Sequence, residues 1–96
     1  MAQLLLLVTY TARPGMREEF VQKVREAGIL EAIRNENGCI RYDYFYSEED
    51  ENQLLLVEKW ETEECQRVHM EQPHMKKLAE IKDRCMTDTK LERFLV

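Results

Sequence analysis

The 96 residues are enough for one domain, 1–96, and too few for two. Apolar residues make up 44% and charged residues 34%, a globular balance rather than a disordered one. A net charge of −5 lacks the basic footprint that a phosphate backbone requires, so nucleic acid is not an expected partner.

The chain opens Met1-Ala2-Gln3 and runs into the apolar stretch 4–8. No basic residue precedes that stretch and no small-residue cleavage site follows it, so a secretory signal is not expected. No segment approaches the length of a membrane span, so no membrane partner is expected either. Residues 4–11 read as the first strand, continuously apolar and so buried on both faces. Arg13-Pro14-Gly15 is a turn. Residues 16–34 read as one helix, with Met16, Phe20, Val24, Ala27, Leu30 and Ile33 on a stripe and Gly28 weakening it locally. Asn35 to Gly38 ends the helix.

Residues 39–47 form the second strand, with Ile40, Tyr42, Tyr44 and Tyr46 on one face and Arg41, Asp43 and Phe45 on the other. Residues 47–52 are an acidic, solvated hairpin loop. Residues 53–61 form the third strand, again largely apolar on both faces. Thr62 caps a short helix, 63–71, whose stripe is Cys65, Val68 and His69. Pro73 starts another helix that runs to 84, with His74, Leu78, Ile81 and Cys85 on its stripe. Residues 90–96 are the last strand.

The order β-α-β-β-α-β is that of the α+β, ferredoxin-like antiparallel sheet with helices on one face. The uncovered face carries too many apolar residues to stay in water, so a second copy is expected there: a homodimer through the sheet face. Cys39, Cys65 and Cys85 are widely spaced and form no paired motif, which suits reduced thiols in a cytoplasmic protein.

Trp60, His69 and His74 carry the clearest chemical potential. Both imidazoles lie on apolar stripes and should enter the space between helices and sheet, where a histidine serves as a general base. The competing reading is a core histidine satisfied by a backbone carbonyl. The histidines are five residues apart with Pro73 between them, and no third ligand has a matching position, so no metal site is expected. Tyr42, Tyr44 and Tyr46, with Tyr10, either line an aromatic pocket or, the favoured reading, belong to the sheet core or dimer face. An inward Glu58 needs a partner, Arg41 or Lys59 of a second subunit. Cys65 and Cys85 read as small apolar packers. With no glycine-rich phosphate loop, nucleophile elbow or metalloprotease motif, no dinucleotide or flavin cofactor is expected.

The stretch 57–83, with Glu58-Lys59-Trp60, His69 and Pro73-His74-Met75, resembles the antibiotic biosynthesis monooxygenase domain family, nearest its quinol monooxygenase branch. Arg13-Pro14-Gly15 and Glu36-Asn37-Gly38-Cys39 carry the same resemblance. It implies a dimeric α/β barrel with a pocket between helices and sheet in each subunit. It further implies a small aromatic substrate, a phenol or hydroquinone, oxidised by O2 without flavin, haem or metal. A phenol with a pKa of about 10 reduces oxygen poorly until it loses its proton. On this resemblance His69 is the base, and His74 orients it or binds a substrate oxygen. Trp60 packs on the ring, with Tyr44, Tyr10 and Leu56 completing the substrate site.

Leu56 and Gln66 stand where antibiotic-tailoring members carry Asn and Tyr, which argues against their substrates. Val8, His69 and Ala79 stand where haem-degrading relatives carry Asn, Trp and His, which argues against haem. A branch that processes a phosphorylated signalling sugar is also similar, through Arg41-x-Asp43, His69, Pro73-His74 and Met86-Thr87. That alternative uses histidine for proton transfer without oxygen. A non-catalytic small-molecule-binding domain is the third reading.

Overall fold

The computed structural model describes residues 2–96. Chain order is β1 (Leu4–Ala12), α1 (Arg17–Glu26), α2 (Ile29–Arg34), β2 (Cys39–Tyr46), β3 (Gln53–Trp60), α3 (Glu63–His69), α4 (His74–Cys85) and β4 (Met86–Leu95). The four strands form one open antiparallel sheet in the order β2-β3-β1-β4, the ferredoxin-like arrangement the sequence predicts. No helix among the described residues is long and apolar enough to cross a membrane.

Alternation along β1 and β3 decides what the helices cover. Leu4, Leu6, Val8 and Tyr10 of β1 are buried beneath the helices, as are Leu54, Leu56, Glu58 and Trp60 of β3. Phe20, Val21 and Val24 of α1, Ile29, Leu30 and Ile33 of α2, and Leu78, Ile81 and Cys85 of α4 fill the space above them. Leu5, Leu7 and Leu55 are only half-buried on the opposite face.

Three expectations change. The single helix 16–34 is two, because Gly28 adopts φ 73° and its N–H and that of Ala27 close α1 onto the carbonyls of Arg25 and Lys23. The last strand starts at Met86 rather than 90, directly off the end of α4. Met86 is already extended and pairs with Ala12, while Arg13 N–H donates to the Cys85 carbonyl at 2.8 Å. In β2 a bulge between Cys39 and Arg41 leaves Ile40 without a partner and 45% exposed. Ile40 therefore does not share the face of Tyr42 and Tyr44.

The acidic loop is also less free than its composition suggests. The Arg17 guanidinium donates to the carbonyls of Ser47, Asp50 and Gln53 and lies 4.6 Å from the Tyr46 ring.

Gly38, where the chain enters β2, is constrained on two counts. Its φ is 82°, and a Cβ there would collide with Cys65 Sγ and lie 2.7 Å from Cys65 Cβ. Gly38→Ala should therefore cost about 2–4 kcal/mol, the sum of left-handed strain and overpacking. Urea denaturation measures it. Adding Cys65→Ala should recover only a small part, because Cys65 Cβ and the backbone strain remain.

Candidate active site

The sequence spacing of the two histidines hides how the chain brings them together. Thr62 caps α3 by accepting from the Cys65 N–H at 3.1 Å, which sets the helix phase so that His69 is its buried residue. After His69 the chain turns tightly: Glu71 N–H donates to Val68 and Gln72 N–H to His69. Pro73 then launches α4 with His74 as its first residue. Two helices, not one, point their imidazoles at a common place.

That place holds Glu36. It sits in the turn between α2 and β2, where its own N–H donates to the Ile33 carbonyl and its carbonyl accepts from Cys39. The Glu36 carboxylate lies 3.0 Å from His69 Nδ1 through each oxygen and 2.6 Å from His74 Nε2 through Oε2. His69 is 1% exposed and the His74 side chain 22%. With Glu36 ionised, both rings donate to it. His69 is then the Nδ1–H tautomer, and its Nε2 keeps a lone pair.

The other side of His69 faces the core. Glu58 Oε1 is 4.0 Å from His69 Nε2 and accepts from Trp60 Nε1–H at 3.1 Å. Glu58 thus points to the helix-covered face. Its partner is Trp60 of the same chain, not Arg41 or Lys59, which lie across the register on the opposite face. Burial raises the Glu58 carboxyl above its ordinary range, against the Trp60 hydrogen bond and the nearby His69. The Trp60 ring lies on His69 with centroids 4.6 Å apart, and Tyr42 flanks it at 6.0 Å.

The tyrosines take the helix-covered side. Tyr42 is opposite Glu58 and Tyr44 opposite Leu56, and an edge-to-face chain runs Tyr42, Tyr44, Phe20, Tyr10. Burial pushes the hydroxyls of Tyr10, Tyr42 and Tyr44 well above the ordinary phenol range. Cys39, beside this region, is pushed up to about 11 by burial and by Glu36.

Of the residues expected in the site, His69, His74 and Trp60 converge. Tyr10, Tyr44 and Leu56 share the same sheet face, with Leu56 fully buried between strands and helices. Val68, expected on the buried stripe of α3, is 41% exposed. Glu36 escaped the sequence reading, and it also corrects the expectation that the histidines lack a third ligand. Glu36, His69 and His74 offer donor atoms all within 4.8 Å of one another. A cleft of about 200 Å³ opens between α3 and the 35–38 turn, lined by Glu36, Asn37, Glu64, Cys65, Val68 and Gln72.

Residues 4–81 match the family model described as antibiotic biosynthesis monooxygenase. "Putative monooxygenase YcnE" of Bacillus subtilis (strain 168) is 32% identical over 62 residues, 65% of this chain and 63% of YcnE. The match thus spans less than two thirds of that relative. Among solved structures, PA3566 from Pseudomonas aeruginosa superposes with TM-score 0.86 at 22% identity, covering 100% of this chain and 95% of that one. A Nitrosomonas europaea protein, named "Putative antibiotic biosynthesis monooxygenase", gives 0.88 at 20% identity, covering 98% and 89%. At these identities the structural likeness speaks for the fold.

Proposed function

Because the chain belongs to the antibiotic biosynthesis monooxygenase family, we propose that it uses O2 to oxidise a small electron-rich phenol or hydroquinone, with His69 as proton acceptor and no added cofactor. One observation carries this reading: the Glu36 carboxylate, itself held by His74, fixes the His69 ring and leaves its Nε2 as the free base. Nε2 faces Trp60, Tyr42 and Glu58, an aromatic, water-poor setting in which a phenolate is a strong reductant.

The step balances without a cofactor. His69 Nε2 takes the hydroxyl proton, and O2 then adds to a ring carbon of the electron-rich anion. Cleavage of the O–O bond leaves one oxygen on the ring as a quinone and the other as water. For a simple phenol, ArOH plus O2 gives quinone plus water, the substrate supplying all the electrons.

Access follows from α3. His69 is its buried residue, so little apolar packing holds it to the sheet. The cleft under α3 is of the size that admits one ring, since about 150 Å³ suffices for benzene. Movement of α3 extends the cleft toward His69 and the aromatic side chains Trp60, Tyr10 and Tyr44, with Leu56 beneath them.

The outer sheet face supports a homodimer as part of the same proposal. Leu5, Leu7, Leu55 and Val57 lie there with Phe45 and Phe94, the two phenylalanines 43% and 42% exposed. A second copy would cover that face and complete the barrel. The three free cysteines suit a reducing, cytoplasmic setting.

The phosphorylated-sugar reading gains nothing from Arg41 and Asp43. They pair with each other at 2.8 Å on the face turned away from His69.

Oxygen-electrode measurements with a panel of hydroquinones and phenols test the proposal. Uptake by the wild-type chain that His69→Asn abolishes is expected. No uptake with any member, or uptake indifferent to the substitution, counts against it.

A further inference from the structure

We infer that Glu36, His69 and His74 also bind a divalent transition-metal ion of the zinc class, and that the ion and the free base exclude one another. The second half rests on His69 being the base; the first does not.

The three donors come from three separate elements: the turn after α2, the end of α3 and the start of α4. Two ligands each bonded at about 2.1 Å to one ion stand roughly 3.0–3.4 Å apart. Glu36 already lies 3.0 Å from His69 Nδ1 and 2.6 Å from His74 Nε2. All three donor atoms fall within 4.8 Å of one another, so a modest approach of the two imidazole nitrogens completes the shell. Two imidazoles and a carboxylate suit zinc, cobalt, nickel or copper rather than magnesium or calcium.

The surroundings fit as well. The cleft beneath α3 opens onto Glu36, and His74 is partly exposed, so an ion has a path in and a fourth position for water. His69 turns its second nitrogen toward Glu58, the carboxylate–histidine–metal pattern that orients such ligands.

The consequence for the base is a matter of where one proton sits. Without the ion, the His69 proton is on Nδ1 and the lone pair is on Nε2. An ion on Nδ1 moves the proton to Nε2, where it points at Glu58. No lone pair is then left for a substrate hydroxyl. An ion at this site turns the oxidation off.

Titration of the full chain with Co2+, then Zn2+, tests the site. The readouts are the visible absorption of bound cobalt and the fluorescence of Trp60, the single tryptophan, whose ring lies 4.6 Å from that of His69. One ion per chain is expected, with cobalt displaced by zinc. Glu36→Gln and His74→Ala should each weaken binding by about 10–100-fold, while Glu64→Gln on the cleft rim should not. Circular dichroism checks that the variants fold. No cobalt spectrum at millimolar metal, or equal affinity in all variants, overturns the site. Zinc binding by a chain that oxidises no phenol leaves the site standing and removes the function reading. Turnover that persists in the zinc-saturated chain overturns the exclusion.

Discussion

Replacing His69 with asparagine is expected to lower kcat for an accepted hydroquinone by about 10²–10⁴-fold, the range for removing a general base. KM should change little, because the base acts in the chemical step. Asparagine keeps an N–H near the position of Nδ1, so Glu36 retains its donor and the loss reports the missing Nε2. Glu36→Gln should cost less, about 10–100-fold, as expected of a group that acts by orienting another. The ranking matters more than the sizes. If Glu36→Gln proved far more damaging than His69→Asn, the carboxylate itself would be the base. Steady-state oxygen uptake on the three proteins gives the comparison.

Steep alkaline unfolding is the second expected result. Tyr10, Tyr42 and Tyr44 all have hydroxyls held above the ordinary phenol range, burial being the largest cause in each. A raised native pKa means that the folded chain keeps protons the unfolded chain releases. The stabilisation is therefore intact below about pH 10 and is lost as pH rises from there toward the native values. With three such groups the slope approaches about 4 kcal/mol per pH unit. A domain with about 5–15 kcal/mol to lose should unfold within a few pH units above 10. Urea denaturation at closely spaced pH values measures the slope, and Tyr10→Phe should reduce it by about 1.4 kcal/mol per pH unit. Tyrosines on the outer sheet face would give almost no slope, so the experiment also tests which side of the sheet they occupy.

Much of the architecture is legible in the residues because it rests on periodicity. The continuous apolar runs of β1 and β3, the stripe of α4 and the Thr62 cap all lie where their spacing predicts. The misses share one cause: a single backbone position redirects everything after it. Gly28 reads as a soft spot but is a left-handed break that makes two helices. The bulge at Ile40 removes one residue from an alternation that is otherwise regular. The last strand begins four residues early because pairing with β1 captures the end of α4 at once.

The site is legible only by half. His69, His74 and Trp60 stand out by residue type, but Glu36 does not. It lies 33 and 38 residues from the histidines it holds, so no spacing rule links them. The available signal is an acidic residue directly before Asn37-Gly38 at the foot of a strand, a turn whose left-handed glycine fixes where the carboxylate points. A spacing of five likewise argues against cooperation only within one continuous helix. Pro73 divides the segment in two, and the two short helices converge.

Labelling with heavy-isotope O2 tests the central claim most directly. The hydroquinone that gives the fastest uptake is turned over under labelled O2, and the product is trapped at once by reduction to block exchange with water. The account predicts one labelled oxygen per product molecule in the wild-type reaction, with the rate of labelled product collapsing in His69→Asn. Turnover that leaves the product unlabelled would contradict it, since the chain would then remove electrons or protons without inserting oxygen.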